Sequence, residues 1–296
     1  MPIPARLLHA ILWLIGCLPF RALHVLGGGL GMLTRWFGLR EARVAWRSLA
    51  LCFPAMDPLQ RRALWRANLA ETGRTLLETA RFWTRPAASN LMLVREVQGR
   101  ELLDAARAAG RGVIIAAPHL GNWELLNQWL ATQSELAILY RPPRKAWGDA
   151  LIRRFRAQPG VTQVRAEASG VRILFRHLKD GGMLGILPDQ QPKRGDGEFA
   201  PFFGIPALTM SLLPRMAHKT GAAVLMAFAE RLPGAKGFRI RLLPGPAAIA
   251  DADTMKAAAA LNASIESCIA LAPAQYQWSY KRFTIRPDGA EAIRYD

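Results

Sequence analysis

The chain has little cysteine, comparatively little acid and no long hydrophobic run. Cys17, Cys52 and Cys268 are odd in number, far apart and never paired as Cys-x-x-Cys. That excludes a zinc ribbon and a disulfide framework, and fits reduced cytosolic thiols. There are 22 acidic residues against 39 lysines and arginines, a formal net charge of +17. Such an imbalance favours polyanionic partners: nucleic acid, an anionic leaflet or acidic head groups. No motif that reads nucleic-acid bases is present, and no repeat or low-complexity linker interrupts the 296 residues. The longest uncharged apolar stretch, residues 7–20, has 14 residues, short of the ~20 that span a bilayer as a helix.

What is present is apolar and basic at once. Hydrophobic residues make up 51% and mean hydropathy is +0.08, which points to a membrane surface rather than to nucleic acid. After residues 7–20 come Arg21 and His24, then a Gly-rich apolar run over 25–33. A tilted span with Arg21 snorkelling, an interfacial helix hairpin, a cleaved signal peptide and a buried helix of a soluble domain are all compatible readings. Arg35, Arg40, Arg43 and Arg47 would mark the cytoplasmic side. Residues 41–52 and 58–83 read as helices. In the second, Arg61, Arg62, Arg66, Arg74 and Arg81 interleave with leucines, and lysine is absent from the first hundred residues. Contact with anionic lipid and an ordinary solvated face both fit.

From Val97 onward strands and helices alternate. Helices are predicted over 101–109, 123–132, 146–157, 169–179, 208–220 and 254–271, and strands over 112–117, 136–140, 183–187, 223–229 and 238–243. The length suits one large α/β domain or two small ones. The alternation implies a mostly parallel central sheet flanked by helices. Ligand sites in such folds lie beyond the carboxyl ends of strands, where His119, Arg141 and Asp189 stand.

Ala-Ala-Pro-His-Leu-Gly-Asn-Trp-Glu over 116–124 places His119 at a strand end and Glu124 on the first turn of a helix capped by Asn122. A carboxylate so placed can fix an imidazole's tautomer and stabilise its protonated form. The alternative is a structural histidine. Arg141, Arg144 and Lys145, stiffened by Pro142 and Pro143, form a cationic loop suited to phosphate or simply solvated. Asp189 is placed to bind a sugar hydroxyl or to orient Arg141, or merely to start a turn. Phe199, Phe202 and Phe203 lie in a loop that either lines an acyl chain or membrane, or packs on the core.

The His-x4-acid pattern resembles the motif of the glycerolipid and lipid A acyltransferase superfamily. Further segments make the likeness specific to the lipid A biosynthesis acyltransferases, the late lauroyl/myristoyl transferases of Gram-negative inner membranes. They are Leu49-Ala50-Leu51-Cys52-Phe53-Pro54, Tyr140-Arg141-Pro142, Pro188-Asp189-Gln190, Pro201-Phe202-Phe203-Gly204 and Trp278-Ser279-Tyr280-Lys281-Arg282-Phe283. Two positions depart: Gln191 stands where the family commonly has an acid, and Ser48 where it has asparagine.

The resemblance implies an O-acyltransferase taking a fatty acyl chain from acyl carrier protein to a hydroxyl of an anionic lipid acceptor, at the cytoplasmic face of the inner membrane. Residues 1–40 would anchor and 41–296 would form the acyltransferase domain. His119 would be the general base, held through Nδ1 by Glu124, with backbone N–H groups near Gly121 and Asn122 on the oxyanion. Asn122, Arg141, Asp189, Gln190, Lys281 and Arg282 would bind substrate. No metal or organic cofactor and no nucleic acid is implied. Another lipid acceptor, such as an ornithine lipid, glycolipid or lysophospholipid, and a non-catalytic lipid-binding role are the alternatives.

Overall fold

The computed structural model describes residues 3–143 and 145–295, so Arg144 of the predicted cationic loop lies outside the described residues. The chain opens with helices α1 (Ile3–Gly16), α2 (Phe20–Trp36), α3 (Arg40–Cys52), α4 (Pro58–Thr84) and the short α5 (Ala87–Leu91). Strand β1 (Val94–Gln98) and helix α6 (Arg100–Ala108) follow, then β2 (Val113–Ala116), α7 (Trp123–Leu130), β3 (Leu136–Tyr140) and α8 (Ala146–Phe155). Next come β4 (Val161–Arg165), α9 (Ala168–Lys179), β5 (Met183–Ile186), β6 (Gly197–Phe202) and β7 (Ile205–Met210). The chain closes with α10 (Leu212–Thr220), β8 (Ala223–Arg231), β9 (Phe238–Pro244) and α11 (Thr254–Leu271).

Seven strands form one sheet in the order β1-β9-β8-β2-β5-β3-β4. The five strands from β8 to β4 run parallel, and β9 reverses direction against β8. Strands β2 and β5 are buried along their whole length, as central parallel strands covered on both faces must be. Their side chains alternate between two cores: Ile114 and Ala116 face one, Val113 and Ile115 the other. This is the α/β sheet flanked by helices that the alternation implied.

Three helices, α4, α7 and α11, begin at a side-chain cap. Asp57, followed by Pro58 at the first helical position, caps α4, and Asp253 caps α11, each accepting two backbone N–H bonds. One expected helix starts late. Residues 208–210 finish β7, paired with β6 at Phe199↔Leu208 and Glu198↔Thr209, and α10 begins at Leu212. The loop expected to hold Phe199, Phe202 and Phe203 is thus a β-hairpin. Its two-residue turn puts Phe203 at φ +50° and Gly204 at +75°, the doubly positive pattern whose twist matches the flanking strands.

Neither α1 nor α2 alone is long and apolar enough to cross a membrane. Together they pass that test of length and composition, but they meet at a 115° bend around Pro19. Helix α2 lies on α4 with backbones in direct contact. A Cβ on Gly31 would come 1.9 Å from the Leu69 carbonyl oxygen, and one on Gly73 2.0 Å from that of Gly27. Outward, Val25, Leu26, Leu33 and Trp36 of α2, like Ile3, Leu7 and Leu14 of α1, are exposed.

Candidate active site

Neighbouring strands β2 and β5 pair Ala116 with Ile186. Both chains run on three residues further, and that delivers His119 and Asp189 side by side. Asp189 accepts the His119 backbone N–H at 3.0 Å through Oδ2, and its Oδ1 lies 2.8 Å from the ring Nδ1. Asp189 is buried while His119 is partly open. Burial pulls the Asp189 carboxyl up, but the His119 charge and the bonds from its ring and backbone outweigh it and hold the group below the usual carboxylate value. The Tyr276 hydroxyl, buried beside it, is pushed well above its ordinary value by burial and by the Asp189 charge.

Because Nδ1 donates to a carboxylate, Nε2 carries the lone pair of the neutral ring. Gln190 Nε2 lies 3.3 Å from His119 Nε2 and donates to Gln277 Oε1 at 3.2 Å. The Trp123 ring meets the imidazole edge-to-face at 4.9 Å. Below them, the His119 carbonyl accepts the Gln277 N–H at 3.0 Å.

The geometry corrects the role expected of Glu124. Its carboxylate is gripped by Arg156, whose Nε donates to both oxygens, at 3.2 and 3.1 Å, and whose Nη2 donates to Oε1. Asp189, rather than Glu124, receives the imidazole Nδ1–H. The reason is directional: the Asn122 cap fixes the first turn of α7 so that Glu124 faces the end of α8. Asp189 is likewise corrected from a sugar or Arg141 ligand to the partner of His119. The backbone donors proposed for the oxyanion are also spent. Gly121 N–H donates to the Gln275 carbonyl at 3.2 Å and Asn122 N–H to that of Ala229 at 3.0 Å.

Asn122 is fully buried. Its Oδ1 accepts Glu124 and Leu125 N–H, and its Nδ2 donates to Glu78. Gly121, at φ +64°, carries the turn, and a Cβ there would stand 2.0 Å from the Ala229 carbonyl oxygen. Arg141 is exposed beyond β3, as the strand-end reading expected. Arg282 is a packing residue: it is buried, donates to Leu208 O and Thr209 Oγ1, and stacks on Phe202. Lys281 lies over the Tyr295 ring. Phe202 is fully buried and Phe203 packs on Phe53 and Trp278, so these two belong to the core rather than to an open acyl-chain wall. Phe199 is half-buried. Gln191, the departure from the family pattern, donates to Lys281 O and Thr284 Oγ1 and accepts the Ile285 N–H. Among the described residues no three His, Cys, Asp or Glu side chains gather as metal ligands.

Comparison with known proteins identifies the family. The profile of the bacterial lipid A biosynthesis acyltransferases matches residues 4–284. The chain is 30% identical over 280 residues to the lipid A biosynthesis lauroyltransferase of Escherichia coli (strain K12), covering 94% of this chain and 90% of that one. It is 29% identical over 284 residues to the palmitoleoyltransferase of the same organism, covering 96% and 92%. A phosphatidylinositol mannoside acyltransferase of Mycobacterium tuberculosis is 29% identical over 174 residues, about half of each chain (54% and 52%).

Proposed function

The chain belongs to the bacterial lipid A biosynthesis acyltransferase family, and from that membership we propose that it moves a fatty acyl chain from acyl carrier protein to a hydroxyl of a lipid A precursor, at the cytoplasmic face of the inner membrane. One observation carries the mechanism: Asp189 fixes His119 by both its backbone and its Nδ1, leaving Nε2 as the base.

The acceptor hydroxyl oxygen attacks the thioester carbonyl carbon as its proton passes to Nε2. Asp189 stabilises the imidazolium that results. Negative charge gathers on the former carbonyl oxygen, where the second N–H of the Gln190 amide, beside Nε2, can donate. The C–S bond then breaks, and the departing thiolate takes the proton back from Nε2. The hydroxyl is itself the nucleophile, so no acyl-enzyme forms. Arg141 reaches an acceptor phosphate, and the net charge of +17 attracts both an acidic carrier protein and an anionic leaflet. The exposed apolar faces of α1 and α2 support seating in that leaflet.

Transfer to another polar lipid is a second reading. It is supported by the half-chain likeness to a mannoside acyltransferase and by Gln191, whose amide is engaged within the protein. The test offers acyl-carrier-protein thioesters with a lipid A precursor, and separately with a lysophospholipid or an ornithine lipid precursor. Product from the lipid A precursor that His119→Ala abolishes supports the reading. Product from another acceptor alone overturns the pathway and keeps the chemistry, and full activity in His119→Ala overturns the mechanism.

A further inference from the structure

A buried ionic network lies behind the turn that carries the site. Glu78 of α4 is fully enclosed and its two oxygens meet three elements. Oε1 accepts Arg231 Nε at 2.6 Å and lies 2.8 Å from His24 Nε2 of α2. Oε2 accepts Asn122 Nδ2 at 3.0 Å and Arg231 Nη2. Arg231, at the end of β8, also binds Glu71 and Thr75. Gln275 closes the loop: its side chain exchanges bonds with the Arg231 backbone at 2.8 and 2.9 Å, and its carbonyl accepts the Gly121 N–H.

Isolated buried ion pairs contribute little net stability over apolar packing. A densely hydrogen-bonded network does fix one geometry, and His24 Nε2 stands at its edge, within ion-pair distance of Glu78 Oε1 but without the alignment of a hydrogen bond. Here the geometry fixed is that of Asn122, which sets the first turn of α7 and with it Trp123, against the imidazole, and Glu124. The network reaches α2 at His24 by two routes: the ring at Glu78, and the backbone carbonyl, which accepts Arg74 Nε at 3.4 Å while Arg74 binds Glu71; His24→Ala cuts the first and leaves the second. The glycine contacts of α2 with α4 leave that helix no slack, and its opposite face is the exposed apolar one.

We propose that Glu78, with Arg231 and His24, is a positioning centre that couples the seating of helix α2 to the catalytic turn; the proposal rests on the acyltransferase reading. None of the three touches substrate. Their effect runs through Asn122.

Glu78→Ala leaves Arg231 buried beside an empty place and risks unfolding, so the decisive variant is His24→Ala, with His24→Gln as the rescue because its amide can donate to Glu78. Full-length protein in anionic vesicles is assayed for kcat, KM of both substrates, melting temperature and amide exchange over residues 118–130. We expect His24→Ala to lower kcat by about tenfold, the scale of a sub-ångström misplacement. Both KM values and the melting temperature should hold, exchange should quicken over 118–130, and His24→Gln should restore most of the rate. An unchanged kcat, or a loss that follows the melting temperature or KM, overturns the proposal. If the wild type transfers no acyl chain, quickened exchange confined to 118–130 supports the coupling while the acyl-transfer reading falls. Unchanged exchange overturns the coupling as well.

Discussion

Arg156 grips Glu124 from the end of α8, donating to both carboxylate oxygens through Nε while Nη2 reinforces Oε1. Burial lowers the tendency of Arg156 to hold its proton, and the Glu124 charge more than restores it. Both partners are largely withdrawn from water, so removing one strands the other. Arg156→Met should cost about 3 kcal/mol of stability, the usual penalty for breaking a buried pair. The double variant with Glu124→Leu should be more stable than Arg156→Met alone. Denaturant unfolding of both single variants and of the double checks this, and additive losses would contradict it.

Asp189→Asn should cut kcat about a thousandfold or more, because the amide leaves the imidazole in the wrong tautomer, with substrate KM values little changed. Glu124→Gln should cost less in kcat, since Glu124 does not contact the ring. Steady-state kinetics of the two variants decide the order. A larger loss at Glu124 would return it to the role of imidazole partner.

Acid should destabilise the protein steeply. Burial raises Asp189 and Glu78, but His119 in one case and Arg231 in the other bring both below the ordinary carboxylate values. For a depressed group, the stability it contributes is complete above the unfolded-state value, about pH 4, and drains as pH falls through the lower folded value. Melting temperature should hold through neutrality and drop in the acid range below that value. Glu78→Gln, less stable at neutral pH, should show a shallower acid limb.

Arg141→Ala should raise the acceptor KM by about tenfold, the low end for a bond to a charged group because the residue is exposed. The donor KM should stay as it was. An unchanged acceptor KM would remove Arg141 from phosphate recognition.

Of the three thiols only Cys17, at the elbow between α1 and α2, is exposed. Burial pushes Cys268 up to about 12 and raises Cys52 as well. A thiol reagent should therefore label one cysteine in the native protein and all three after denaturation. Anionic vesicles should slow labelling of Cys17, provided that the elbow sits in lipid.

Local signals carried much of the fold. Strand 136–140 and helix 254–271 read correctly to the residue, the first as five apolar residues before Arg141, the second at a start that the structure shows to be capped by Asp253. The hairpin was missed because Phe203 is an unusual residue at positive φ. What no local pattern carries is strand order. His119 and Asp189 each stood legibly after an apolar strand, but that β5 inserts beside β2 is a fact of register over 70 residues. Glu124, five positions from His119, was the nearer acid in sequence and the wrong partner in space. Arg156 gave no signal among the basic residues that end α8. Glu78 gave a faint one, a carboxylate following Leu76 and Leu77 in a helix that buries it.

His119 is held at its backbone N–H, its carbonyl and its Nδ1, so the ring has no swing. A fixed ring offers one nitrogen for both halves of the reaction. In the proposed transfer, the oxygen that gives up the proton and the sulfur that later receives it would each come to Nε2, one arriving from the lipid phase and the other from water. That transfer would thereby be confined to a single point on the phase boundary, where both substrates must be held together, because the tethered ring does not carry the proton between them.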